Sequence, residues 1–245
     1  MRAVDLNCDL GEGVGDDLLL FPLITSANIA CGGHTGDADS MRIACELARD
    51  HGVTVGAHPS YVDREGFGRR PVEVSPAALT DQLRDQVGAL RDVAAGVGVD
   101  VAYLKPHGAL YNRIATDEQQ AEAVARAAEA EGLPLLGATG TAAERAAKRL
   151  GVPFVREVFV DRGYRSDGTL AARGTPGALL TDPAEVAERA LRMVTEASVA
   201  AVDGTRIPLR PQSLCLHGDT AGAAWIAAAV RRRLQEAGVE FRPFR

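Results

Sequence analysis

The chain has 245 residues, 46% of them hydrophobic, and a formal net charge of −6 with acidic and basic residues interspersed, so it can bury a large core and shows no clustered basic face for nucleic acid. No stretch approaches the roughly 20 apolar residues of a membrane span, and the start, MRAVDLNCDLGEG, has no apolar signal core. Four cysteines (Cys8, Cys31, Cys45, Cys215) without a CxxC pair exclude a disulfide scaffold; a soluble cytoplasmic protein is expected.

In chain order, short apolar runs at 3–6, 24–29, 53–57, 101–104, 134–136, 154–160 and 213–216 predict strands. Being continuous rather than alternating, they predict parallel strands buried on both faces. Helical stripes lie between them: Leu79, Leu83, Val87 and Leu90; Val186, Ala190, Met193 and Ala197; Ile226, Val230 and Leu234. Asp37 or Asp39, Ser75-Pro76, Thr141 with Glu144, and Asp182-Pro183 supply start signals. Gly52, Gly98, Gly132, Gly151 and Gly238 each stand where a helix gives way to an apolar run. Alternating strand and helix with no linker predicts one parallel α/β domain over 1–245. An open doubly wound sheet and a closed barrel of seven or eight strands both fit, and the barrel is favoured.

Parallel α/β folds carry their sites at the carboxyl ends of the strands. There the sequence places Asn7, Asp9 and Glu12; Asn28, Cys31 and His34; His58; Lys105 and His107; Glu157, Asp161 and Arg162; and His217 with Asp219. Four of the five histidines stand just past a strand, which predicts one shared mouth; His51 sits at a helix end instead. Within 26–41, SANIACGGHTGDADSM, the aspartates suit a helix cap, which leaves Asn28 and His34 as the better functional residues. Cys31-x-x-His34 alone is a weak zinc signal, since a second half-site is missing. Two long connections, 58–75 and 161–182, carry Arg64, Arg69 and Arg70, and Arg162, Arg165 and Arg173. Loops of this length suit lids or binding loops, and their arginines suit carboxylate or phosphate. There is no GxxxxGK[ST] phosphate loop and no GxSxG elbow.

The blocks DLNCDLGEG, SANIACGGHTGD, VGAHPSYVDREGFGRR, YLKPHGALYN, EVFVDRGYRSDGTLAARGTPGALL and LCLHGDTAGA resemble the LamB/YcsF family from end to end. These are the A subunits of the ATP-hydrolysing 5-oxoprolinase. The resemblance implies a distorted (β/α) barrel of about seven parallel strands, related to glycoside hydrolase and deacetylase barrels. It implies cleavage of 5-oxo-L-proline to L-glutamate with ATP, accompanied by Mg2+, and partner subunits B and C. No nucleic acid or membrane partner is expected, and a homo-oligomer is left open.

Phosphorylating the lactam oxygen would activate a resonance-stabilised amide for attack by water. Such a route needs cations near phosphate, a base for water and an acid for the leaving nitrogen. On that expectation Lys105, helped by Arg162, neutralises phosphate or carboxylate. Asp9, His58 or His107 is the base, and Asn7 and Asn28 orient the ring. His217 pairs with Asp219, whose carboxylate sets the imidazole tautomer. Cys31, His34 and Glu157 complete the expected substrate-binding set. Two alternatives stand beside this route. One is a metal-dependent amide hydrolase of the deacetylase type, with Asp9, His58 and His107 as ligands. The other is a lactam-binding subunit whose partners carry the nucleotide step.

Overall fold

The computed structural model describes residues 2–244. In chain order the elements are β1 (Arg2–Leu10), α1 (Asp17–Leu20), β2 (Ser26–Ala30), α2 (Ala38–His51), β3 (Thr54–His58), α3 (Pro76–Val97), β4 (Val101–Leu104), α4 (Gly108–Arg113), α5 (Glu118–Ala130) and β5 (Leu135–Ala138). They continue with α6 (Ala142–Leu150), β6 (Phe154–Phe159), α7 (Pro183–Thr195), β7 (Ser198–Ala200), β8 (Arg206–Pro208), β9 (Ser213–His217), α8 (Ala223–Glu236) and β10 (Val239–Phe241).

Seven parallel strands, β1-β2-β3-β4-β5-β6-β9, form a closed barrel, because β9 pairs with both β6 and β1. The β1–β9 register, from Asp5 opposite Ser213 to Asp9 opposite His217, is the pairing that distinguishes a barrel from an open sheet. The short β10 adds to β1 below this register, at Arg2 to Val4.

Local chemistry accounts for the helices between the strands. Asp37 and Ser40 form a reciprocal capping box at α2, and Ser75, Thr141 and Asp182 each accept a backbone N–H at the start of α3, α6 and α7. Left-handed Gly52, Gly98 and Gly151 end α2, α3 and α6. The stripe Leu79, Leu83, Val87 and Leu90 is fully buried against the sheet. The stripe on α7 ends sooner than predicted: Ala197 lies beyond Glu196, the last cap residue, with φ +52. The antiparallel β7–β8 hairpin and β10 were not foreseen, being only three residues per strand.

β1 departs from the expected apolar run. Its residues alternate, with Leu6, Cys8 and Leu10 in the apolar core and Asp5, Asn7 and Asp9 buried on the other face. That face belongs to a polar network across the barrel. Asp5 accepts from Thr25, Ser26 and Ser213. The Asn7 amide donates to Glu157 and Ser213, and the Asn28 amide to Asn7 and Asp9. Burial pushes the Asp5 carboxyl up to about 6, against the hydrogen bonds it accepts. Among the described residues no helix is long and apolar enough to cross a membrane.

Candidate active site

The network rises to a mouth at the carboxyl ends of the strands. His58 is the last residue of β3 and His217 the last of β9. Lys105 and His107 follow β4 directly, and His34 lies on the loop after β2. Asn7 and Asp9 lie within β1 rather than past it, and Glu157 within β6, so these three approach the mouth from the barrel interior.

Lys105 is 1% exposed, with Nζ 2.8 Å from Asp9 Oδ1, 3.0 Å from Glu157 Oε1, 3.2 Å from Asn7 Oδ1 and 3.1 Å from Cys215 Sγ. Burial works against its charge, but Asp9 and Glu157 overcome that and hold the ammonium well above its usual range. Burial works against charge on Asp9 as well, but its charged surroundings, Lys105 among them, hold it well below the usual carboxylate range. The pair is therefore a fixed charge pair, and Lys105 is no proton acceptor.

Three imidazoles and Glu12 meet above it, with one donor atom from each lying within 4.8 Å of the others. The hydrogens on these rings follow from their outer partners. His58 Nδ1 lies 2.8 Å from the Lys105 carbonyl and His107 Nε2 3.0 Å from the Phe67 carbonyl; carbonyls only accept, so both nitrogens donate. Ser60 gives its hydroxyl hydrogen to the Tyr61 carbonyl, so His34 Nδ1, 3.1 Å away, donates to Ser60 Oγ. The other nitrogens then carry lone pairs in the neutral rings, and these face one another. His58 Nε2 is 3.1 Å from His107 Nδ1, and Glu12 Oε1 is 3.1 Å from His34 Nε2 and 3.4 Å from His107 Nδ1. Asp9 Oδ2 is 3.3 Å from His58 Nε2.

A ring of acceptors is repulsive unless positive charge sits among them. Burial, followed by the neighbouring imidazoles, pushes His107 down to about 3 and moves His34 in the same direction, so both rings are neutral at pH 7. Burial and Asp9 push Glu12 up to about 7. The donor set fits a divalent cation. Tetrahedral bonds of about 2.0 Å separate their ligand atoms by about 3.3 Å, close to the 3.1 and 3.4 Å contacts here and shorter than the 3.9 Å between His58 Nε2 and Glu12 Oε1.

Two close approaches of backbone hold the cluster together. Gly68 has φ +64, and a Cβ there would lie 2.8 Å from His34 Cβ and 3.0 Å from His107 Cδ2. A Cβ on Gly108 would lie 2.5 Å from the Gly68 carbonyl oxygen. The loop after β3 is thus pressed onto the histidines. His34 and His107 stack at 3.7 Å between ring centroids.

Several expected residues are placed differently. His217 does not pair with Asp219: its Nδ1 lies 3.0 Å from Asp161 Oδ2, and Asp161 also accepts the His217 backbone N–H. Asp161 stands just past the end of β6, beside the last residue of β9, whereas Asp219 turns away to Arg69 and Arg173. The Arg162 guanidinium is buried and donates to the carbonyls of Ala171 and Ala178, so it braces its loop. Arg64 does the same for Gly32 and Gly36, and Arg70 pairs with Asp63. Cys31 is buried in the apolar core, where burial pushes its thiol up to about 12. Glu12, expected only as a residue following β1, is central to the cluster, and Asp9 is beside it rather than within it. The pattern Gly11-Glu12-Gly13 was the one sequence signal for Glu12.

The profile of the LamB/YcsF family matches residues 4–245. The chain belongs to the LamB/YcsF family. A family relative from Streptomyces griseus, named as the A subunit of 5-oxoprolinase, is 50% identical over 98% of this chain and 99% of its own length. The crystal structure of a lactam utilization protein from Thermus thermophilus superposes with a TM-score of 0.93 at 43% identity, covering 98% of this chain and 99% of that one. A polysaccharide deacetylase from Bacillus cereus shares the LamB/YcsF barrel at a TM-score of 0.53 and 12% identity, covering 100% of this chain and 93% of that one.

Proposed function

We propose that the chain acts in 5-oxoproline utilisation as the A subunit of an ATP-dependent 5-oxoprolinase, and that its mouth opens the lactam ring hydrolytically. The observation that carries the reading is the convergence of lone pairs from His34, His58, His107 and Glu12 beside the Lys105–Asp9 pair. The relatives' names supply the substrate class.

Glu12, His34, His58 and His107 would hold a divalent cation, which in such a site polarises a carbonyl or lowers the pKa of water. As a ligand Glu12 would be ionised, its charge matched by the cation. Lys105 supplies fixed positive charge beside the lactam oxygen and the phosphoryl group it takes up. Burial opposes charge on His217, but Asp161 more than offsets it and raises its pKa, which suits a proton donor to the departing ring nitrogen. In the coupled reaction the lactam oxygen takes the γ-phosphoryl group of ATP and ADP leaves; one water adds to the ring carbon and the C–N bond breaks, the nitrogen taking a proton, to give an acyl phosphate, and a second water releases phosphate to leave L-glutamate. With no phosphate loop in this chain, the phosphoryl transfer is assigned to partner subunits B and C.

Reconstitution with those partners tests the reading. Glutamate should form from 5-oxoproline only when ATP, the partners and this chain are all present. Undiminished glutamate formation without this chain would refute it.

A further inference from the structure

A second cavity, of about 230 Å3, lies between α7 and the β7–β8 hairpin. It is lined by Arg189, Arg192, Glu196, Ser198 and Arg206 with backbone of the hairpin, and shares no residue with the mouth. Three guanidinium groups face one carboxylate there. Glu196 is already engaged by Arg206, which also donates to Ser198 Oγ at 2.7 Å. Arg192 is exposed, and among the described residues its side chain has no hydrogen bond or ion pair.

Arg189 is held in place without being satisfied. Its Nη2 donates to the Arg162 carbonyl at 2.8 Å and its Nη1 to the Ala200 carbonyl at 3.4 Å, and its guanidinium carbon sits 5.7 Å from the Tyr164 ring centroid. Its Nε is buried and has no acceptor. Buried donors ordinarily find one. Arg189 Nε and the Arg192 fork are thus without acceptors beside a space large enough for a small anion, and such planar donor forks suit tetrahedral oxyanions.

We propose that this cavity binds a phosphate-bearing anion. A tetrahedral phosphate offers these donors more acceptor oxygens than a planar monocarboxylate does. The proposal concerns a site apart from the mouth and stands whether or not the mouth opens a lactam.

Calorimetric titration of the full chain with inorganic phosphate, in chelator and at constant ionic strength, tests it; chelator removes any metal at the mouth that would itself attract phosphate. Arg192→Gln is the variant of choice because that side chain supports nothing else, and its melting curve should match the wild type. Saturable binding of one phosphate that Arg192→Gln weakens about tenfold or more supports the site. Parallel titrations with tripolyphosphate and ATP identify the source. Tighter binding of ATP than of tripolyphosphate marks a nucleotide, and equal binding marks phosphate alone; each supports the site if Arg192→Gln weakens it. No saturable phosphate binding, equal binding by the variant, or acetate binding as tightly as phosphate overturns the proposal.

Discussion

Lys105 Nζ and Asp9 Oδ1 stand 2.8 Å apart inside the barrel, 96 residues apart in the chain, with Glu157 completing the charge set at 3.0 Å. Removing one member of a buried ion pair leaves its partners charged and unsolvated, at a cost of about 3–5 kcal/mol. Lys105→Ala should therefore lose stability on that scale in urea unfolding, and the reconstituted assembly should lose at least about 100-fold in turnover. Stability within about 1 kcal/mol of the wild type would show that the pair is solvated.

The Asp161–His217 contact predicts a pH effect. Asp161 raises the imidazole pKa against the effect of burial. A raised folded-state pKa contributes stability that is fully present below the unfolded value of about 6.5 and is lost as pH rises through the folded value. Asp161→Asn should remove that contribution and leave burial in control. The His217 titration, followed by NMR of its ring protons, should then move to lower pH. An unchanged midpoint would mean that Asp161 does not govern the ring.

Gly68 predicts a graded effect on the histidine cluster. Gly68→Ala adds left-handed strain of about 1–3 kcal/mol and pushes a methyl group into His34 and His107. Cation affinity should fall about 10- to 100-fold. Gly98→Ala is the control, since its φ of +82 brings similar strain but no atom lies within 4 Å of the new Cβ. It should destabilise and leave cation binding intact; equal effects of the two substitutions on binding would refute the wedge.

What was legible in the sequence follows from what is local. Glycine helix ends, caps and apolar runs depend on neighbours within a few residues, so the alternation of strand and helix could be read directly. Barrel closure depends on β9 meeting β1, and no periodicity encodes that contact. The partner of His217 was missed for the same reason. Asp219 is near it in sequence, but Asp161, 56 residues away, is brought beside it by the end of β6. Arg64 and Arg162 looked free for ligands because their acceptors are backbone carbonyls, which any residue supplies. Glu12 was obscured because nothing local ties a carboxylate between Gly11 and Gly13 to the distant histidines. Both glycines are left-handed, at φ +71 and +70, and the turn they make sets Glu12 among the histidines.

Cation binding by the chelator-treated chain is the most direct test of the mouth. Calorimetric titration with Zn2+ and with Mn2+ should reveal one site per chain for at least one of the two, weakened about 100-fold or more in both His58→Ala and Glu12→Gln. Absence of saturable binding by the wild-type chain, or binding that survives both substitutions, would contradict a metal centre built from His34, His58, His107 and Glu12.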